Sequence, residues 1–323
     1  MISVIIPNYN KFELLENCIK HILSGTYDNI EVIVVDNGSV SERRGIINDD
    51  RVKYIWLPKN MGFSFAVNEG VRQSSGDYIA VLNNDTEVAS DWIKTIIAAF
   101  EQNKDVINIT SKIKSLRNKE LFDDVGDIIL SSGKVYKIGN NEKDTGQYDS
   151  YRYVFGASGC ASVYRREFFD KVGYFDEEFF AYLEDIDLSF RANILGYKCL
   201  YVPDAVVYHV GSATTGSQYN EFTVFHLAQN TISVIVKNFP TKLLFKYIFA
   251  ILTHIISLQA FFILKGFGWS YFKGLISGIR ILKKMLNKRH EIMSKRVLKD
   301  DEIIKMFRAN KKLYKVSKKR RKL

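Results

Sequence analysis

A chain of 323 residues suits one large domain or two ordinary ones. With 46% apolar and 25% charged residues its composition is ordinary for a globular protein, which excludes a disordered, collagen-like or disulfide-scaffold chain. The net charge of +10 is unevenly spread: Lys265–Leu323 holds 20 Lys and Arg against 4 Asp and Glu, leaving a mildly acidic body and a strongly basic tail. That asymmetry points to an anionic partner for the tail, either a membrane surface or nucleic acid. Cys18, Cys160 and Cys199 are too few and too scattered for a disulfide framework or a zinc ligand set, and they fit a reducing compartment. The first residues lack a basic n-region and a cleavage site, and read as a strand.

The β-branched run Ile2–Ile6, closed by Pro7, predicts a buried strand. Helical spacing follows over Lys11–Ser24. Further strands are predicted over Ile30–Val35, Val52–Leu57, Tyr78–Leu82 and Val106–Thr110, with helices over Phe63–Gln73 and Trp92–Phe100. This alternation predicts βαβ units and a mostly parallel sheet covered on both faces. In such sheets ligands bind beyond the C-terminal strand ends. The clusters after strands one, two and four (Pro7 to Asn10, Asp36-Asn37, Asn83-Asn84-Asp85) therefore belong along one edge. Residues 111–150 are polar with scattered glycine and give no clear element. Beyond them, strands are expected over Phe155–Val163, Lys198–Val202 and Val206–Val210, and a helix over Asp185–Leu195.

Each candidate group has two readings. Asp85 at a strand end suits a hard divalent cation, and Asn-Asn-Asp is equally good turn chemistry. Glu184-Asp185 at a helix start is either capping by the dipole or a general base walled by Phe179, Phe180 and Tyr182. His209 is either a structural histidine or a neutral imidazole ligand to the same metal. Asp36 is either a loop aspartate or an acceptor for a nucleobase N–H. Asn60-Met61-Gly62-Phe63 enters a helix N-terminus, which offers N–H groups to phosphate. There is no G-x-G-x-x-G after strand one, no P-loop, no G-x-S-x-G elbow and no H-E-x-x-H.

In order and spacing, Ser3 to Asn10, Val34 to Ser39, Asn60 to Phe63 with Asn68-Glu69-Gly70, Leu82 to Thr86, Gly156 to Cys160, Val172 to Glu177 and Glu184 to Leu188 resemble the family 2 glycosyltransferases of GT-A fold. Within these the chain is similar to the bacterial rhamnosyltransferase-type enzymes of cell-surface polysaccharide assembly. The resemblance covers about residues 1–215. It implies an α/β, Rossmann-like sheet flanked by helices over residues 1–220; the residue pattern beyond predicts a basic amphipathic helical extension over 221–323. The resemblance further implies inverting, metal-dependent transfer of one sugar from a nucleotide-diphosphate donor to a hydroxyl of a glycan or lipid-linked glycan. Asp185 then matches the base, and Asp85 and His209 the holders of Mg2+ or Mn2+. Pro7, Asn8, Asn10, Asp36, Asn60, Gly62, Asn68, Asn83 and Asn84 match the donor pocket, and Gly159, Tyr182 and Glu184 the acceptor side. Asn83 replaces the first acid of the family's D-x-D, which implies weaker metal binding. The Q-x-x-R-W motif of processive synthases is absent after Asp185, where Leu188-Ser189-Phe190-Arg191 stands.

Leu243–Leu264 is interrupted by Lys246 and His254, and as a helix it would run ~33 Å, about one hydrocarbon thickness. Phe267–Leu286 interleaves apolar and basic residues, as a helix in an anionic interface does. The chain then ends in Lys318-Lys319-Arg320-Arg321-Lys322. These features imply a cytoplasmic protein peripheral to the inner face of the plasma membrane. The alternative for the helices is packing on the body or on a second subunit, as a homo-oligomer. No nucleic-acid partner is expected, because the charge is confined to the tail. A different class of reading is an inactive body with a binding tail.

Overall fold

The computed structural model of the chain describes residues 1–40, 46–211 and 219–321; Lys322 of the terminal basic run lies outside the described residues. The first half follows the predicted alternation. Strands β1 (Ile2–Asn8), β2 (Ile30–Asp36), β3 (Val52–Trp56) and β4 (Tyr78–Leu82) are mutually parallel in the order β4-β1-β2-β3, with helices α1 (Phe12–Leu23) and α2 (Phe63–Arg72) in the crossovers. Because successive side chains of a strand point to opposite faces, β1 serves two layers. Val4 and Ile6 pack with α1 and with α3 (Trp92–Gln102), while Ile5 packs with α2 and with α4 (Glu167–Val172). Each buried aliphatic or aromatic side chain contributes ~1.5–3 kcal/mol to this sandwich.

The second half extends the sheet with mixed direction. The short β5 (Thr86–Val88) follows β4, and β6 (Asn108–Ser115) follows α3. Residues 111–150, unassigned from sequence, supply the end of β6, then β7 (Phe122–Asp124) and the small hairpin β8 (Asp127–Ile129) with β9 (Val135–Lys137). Beyond these come β10 (Arg152–Val154) and β11 (Ala161–Arg165), the latter antiparallel between β4 and β6. The strand expected over 155–163 thus begins only at Ala161, because residues 156–160, with Gly156 and Gly159, form a loop. Helix α5 (Glu184–Ile194) leads into β12 (Cys199–His209), which is parallel to β6. Two strands were expected where β12 is continuous. The break in apolar pattern at Pro203-Asp204 corresponds to a register shift between Val202 and Val206.

Helices α6 (Glu221–Asn238), α7 (Thr241–Leu264), α8 (Gly268–Arg280), α9 (Leu282–Ser294) and α10 (Asp300–Arg320) complete the chain. They share a core with the sheet: Val234, Ile235, Phe239, Met285 and Phe307 pack with Phe122, Ile186, Phe190 and Tyr201. Met285, expected at a membrane interface, is instead fully buried. A buried ion network joins the two halves. The Lys237 ammonium on α6 lies 2.8 Å from Asp187 on α5 and 2.6 Å from Asp176, with all three side chains at most 5% exposed. Arg191 and Asn238 also donate to Asp187, and Lys288 of α9 pairs with Asp176.

Removing one partner of a buried ion pair leaves the others uncompensated, typically at about 3–5 kcal/mol. Lys237→Met is therefore expected to lower the unfolding free energy by that amount in urea titration. A loss under about 1 kcal/mol would show that water already reaches Asp187.

Candidate active site

The C-terminal edge of the parallel strands carries a chain of polar side chains. Asn8 ends β1 directly beside Asp36, its register partner at the end of β2. The Asn8 amide donates to the Asp36 carboxylate at 3.0 Å, and its carbonyl oxygen accepts from Asn84 at 2.6 Å. The Ser39 N–H and hydroxyl both donate to Asp36. Asn10, with φ 59°, joins the same corner by donating its N–H to Ser39 and accepting from Val40. Pro7 precedes Asn8 at this strand end.

A second set lies on the α2 side. Asn37 donates to the side chain of Asn60 and to the carbonyl of Gly62, and accepts from the Met61 N–H. Gly62 has φ 93°, and a Cβ there would lie 2.6 Å from the Phe180 carbonyl oxygen. Only glycine permits this approach. Asn68, expected in the donor pocket, is placed otherwise. It is buried, and its amide clamps Phe175 and Glu177.

The third set surrounds Asp85. His209 ends β12 opposite Thr86 of β5, which places its Nε2 3.2 Å from the Asp85 carboxylate. Its Nδ1 donates to Asp123 at 2.8 Å. Burial disfavours charge on His209, but Cys160, Asp123 and Asp85 around it raise its pKa well above the ordinary imidazole value. Burial likewise opposes charge on Asp123, yet Lys137 and His209 hold its carboxyl well below the usual range. Asp123 and Lys137 were not recognised from sequence. They lie in the segment without periodicity, where the pair Asp123-Asp124 before Gly126 was the available signal. Among the described residues, no group of three or more His, Cys, Asp or Glu side chains surrounds a common metal position.

The loop 156–160 connects this set to Asp185. The Gly159 N–H donates to Asp185 Oδ2 at 3.0 Å, and the Ile186 N–H to Oδ1 at 2.8 Å. The next residue, Cys160, accepts from the Asn83 N–H through its carbonyl, two residues before Asp85. Asp85 and Asp185 therefore flank one short loop. Burial pushes the Asp185 pKa upward, against the Gly159 N–H and the Lys137 charge. Neighbouring Glu184 is pushed well above the usual range by burial and then by Asp185, and its Oε2 has no hydrogen-bond partner. Tyr182 and Leu183, just before α5, both have left-handed backbone, φ 71° and 65°. Asn230 of α6 holds that turn by donating to the carbonyls of Ala181 and Tyr182. Strained backbone of this kind is maintained only where its surroundings impose it.

The sequence profile described as Glycosyl transferase family 2 matches residues 3–173. A protein of Sinorhizobium fredii, y4gI, is 31% identical over 68% of this chain and 25% of its own length. The poly-beta-1,6-N-acetyl-D-glucosamine synthase of Staphylococcus epidermidis is 26% identical over 74% of this chain and 57% of its own. The glycosyltransferase GlyG of Streptococcus pneumoniae is 26% identical over 63% of this chain and 68% of its own. The chain thus spans from a quarter to about two thirds of these relatives. Among solved structures, GalNAc-T7 with UDP, GalNAc and Mn2+ is similar with a TM-score of 0.59 and 18% identity, over 73% of this chain and 48% of that one. The mannosyltransferase PcManGT from Pyrobaculum calidifontis, in complex with GDP-Man and Mn2+, gives a TM-score of 0.52 and 12% identity over 91% and 85%.

Gly62→Ala would force a Cβ against Phe180 at a positive φ. It is expected to cost about 1–3 kcal/mol and to lower the thermal midpoint. An unchanged midpoint would mean that the Phe180 turn moves freely.

Proposed function

The chain belongs to glycosyltransferase family 2, and from that premise we propose that it transfers one sugar, with inversion, from a nucleotide-diphosphate donor to a hydroxyl of a glycan or lipid-linked glycan. The sugar we propose is a hexose or deoxyhexose of the rhamnose kind, used in cell-surface polysaccharide assembly. One observation carries this reading: a single loop, 156–160, holds the carboxylate of Asp185 on one side and borders the Asp85–His209 pair on the other.

Asp36, Asn8 and the Asn60–Gly62 turn supply the nucleoside side of the pocket, with Asp36 accepting a base N–H. Asp85 and His209 suit a divalent cation. They offer one hard oxygen and one imidazole nitrogen in contact, and Asp123 orients the ring from its other nitrogen, as second-shell carboxylates do for metal-bound histidine. With two protein ligands, positions remain for phosphate oxygens and water, which Mg2+ and Mn2+ favour. When bound, such an ion would neutralise charge on the departing diphosphate.

Asp185 does the proton work. Two backbone N–H groups fix its carboxylate, and partial desolvation raises its basicity toward working pH. It takes the proton of the acceptor hydroxyl as that oxygen bonds to the anomeric carbon. The bond to the nucleotide diphosphate breaks on the opposite face. Glu184 and Tyr182 border the acceptor approach, and Gly159 leaves the space there open. Lipid-linked acceptors would place the enzyme at the inner membrane face.

Asp185→Asn is expected to lower kcat ~10²–10⁴-fold while the donor dissociation constant stays within about twofold. Wild-type turnover by the purified variant would refute the assignment. Asp123→Asn is expected to weaken Mn2+ binding ~10–100-fold by calorimetry; unchanged affinity would show that Asp123 does not orient a metal-bound His209.

A further inference from the structure

Helix α7 has two unlike faces. Leu243 and Ile251 are buried, with Leu244, Tyr247 and Ile255 beside them, on the core that holds α6 and α10, and Phe262 is buried against Val224 and Ala228 of α6 and Tyr271 of α8. These contacts run from the first turn of α7 to its last, so the helix is fastened to the body along its length. The opposite face is open. Phe245 is 75% exposed, Phe249 82%, Leu252 47%, Ile256 66% and Ile263 61%. Their spacings of 4, 3, 4 and 7 residues put them in one stripe along ~27 Å of helix. Trp269 and Phe272, stacked on each other at the start of α8 and both exposed, lie just beyond its end.

Along the chain, the charged residues of α7 to α9 up to His290 have one sign. Residues 241–290 contain nine Lys and Arg and no Asp or Glu. Three of the nine, Lys284, Lys288 and Arg289, are engaged with the body. The other six, Lys242, Lys246, Lys265, Lys273, Arg280 and Lys283, are exposed. A second copy seated on this face would bring like charges together. An anionic lipid surface would meet the apolar stripe with acyl chains and the lysines with headgroups.

We infer that α7 lies in the plane of an anionic bilayer, its Phe245–Ile263 stripe inserted at the headgroup boundary, and does not cross it. This deepens the peripheral location proposed above and rests on it. A crossing would require the inner face of α7 to leave the core or to carry α6 and α10 into hydrocarbon. The lysine-rich α10 makes that costly.

The test is flotation of the full chain with phosphatidylcholine vesicles, with and without phosphatidylglycerol. The wild type is expected to float only with the anionic vesicles and to be released by alkaline carbonate. Phe245→Ser/Phe249→Ser/Ile256→Ser is expected to lose about tenfold or more in partitioning with an unchanged thermal midpoint. Should the triple variant fold poorly, Phe249→Ser alone, at the most exposed ring, gives the same direction. No flotation of the wild type would overturn the peripheral location itself. Equal flotation of wild type and variants would leave the location to the basic tail and overturn the stripe. Carbonate resistance would mean a span. A dimer dissolved by the variants, without vesicle binding, would mean that a second copy covers the face.

Discussion

The position of Asp185 depends on a charge buried two residues further along its own helix. Asp187 is fully buried and is held at once by Lys237, Arg191 and Asn238. Three partners fix a carboxylate in direction as well as in depth. Because Lys237 and Asn238 sit on α6, the first turn of α5 cannot rotate without breaking bonds to the C-terminal helices. Lys288 ties α9 into the same network through Asp176. A buried ion pair is weak evidence for stability by itself. Here its use is registry between two halves of the chain, and Asp185 is the group placed by that registry.

Close backbone approach does the rest of the positioning. At Gly159 a side chain would meet the Asp185 carboxylate 3.1 Å away, and at Gly62 one would meet Phe180. Phe180 leads directly into the left-handed pair Tyr182-Leu183 and then into α5. The Asn60–Gly62 turn and the segment leading into α5 are thus in backbone contact, the Phe63 N–H donating to the Phe180 carbonyl at 2.7 Å. Movement of the Asn60–Gly62 turn would be felt at Asp185 through this link. Asn230 holds the strained turn from α6, so the C-terminal helices support the site twice.

The parallel strands were legible because β1, β2 and β4 are β-branched runs buried on both faces. The polar strand ends that follow them were legible for the same reason: the apolar run stops where Asn8, Asp36 and Asn83 to Asp85 begin. What escaped was structure without periodicity. Helix α6 buries Asn230, Thr231, Ser233, Lys237 and Asn238, so its inner face does not read as apolar. The strands between 111 and 154 are mostly three residues long, too short for alternation to show. Asp123 and Lys137 lie in that stretch, and only tertiary contact reveals that they face His209 and its neighbours. Asn68 differs from the strand-end residues: a conspicuous polar residue on α2, it is buried and bonded to the backbone of Phe175.

In the function proposed above, Asp85, His209 and Asp185 face one diphosphate-sized cleft. Anomalous diffraction at the manganese edge, from crystals of the chain grown with Mn2+ and a nucleoside diphosphate, tests it most directly. A single manganese peak at Asp85 and His209 is expected, with the diphosphate on the side of the cleft that Asp185 faces. Manganese bound away from this pair, or a diphosphate on another face of the sheet, would contradict it.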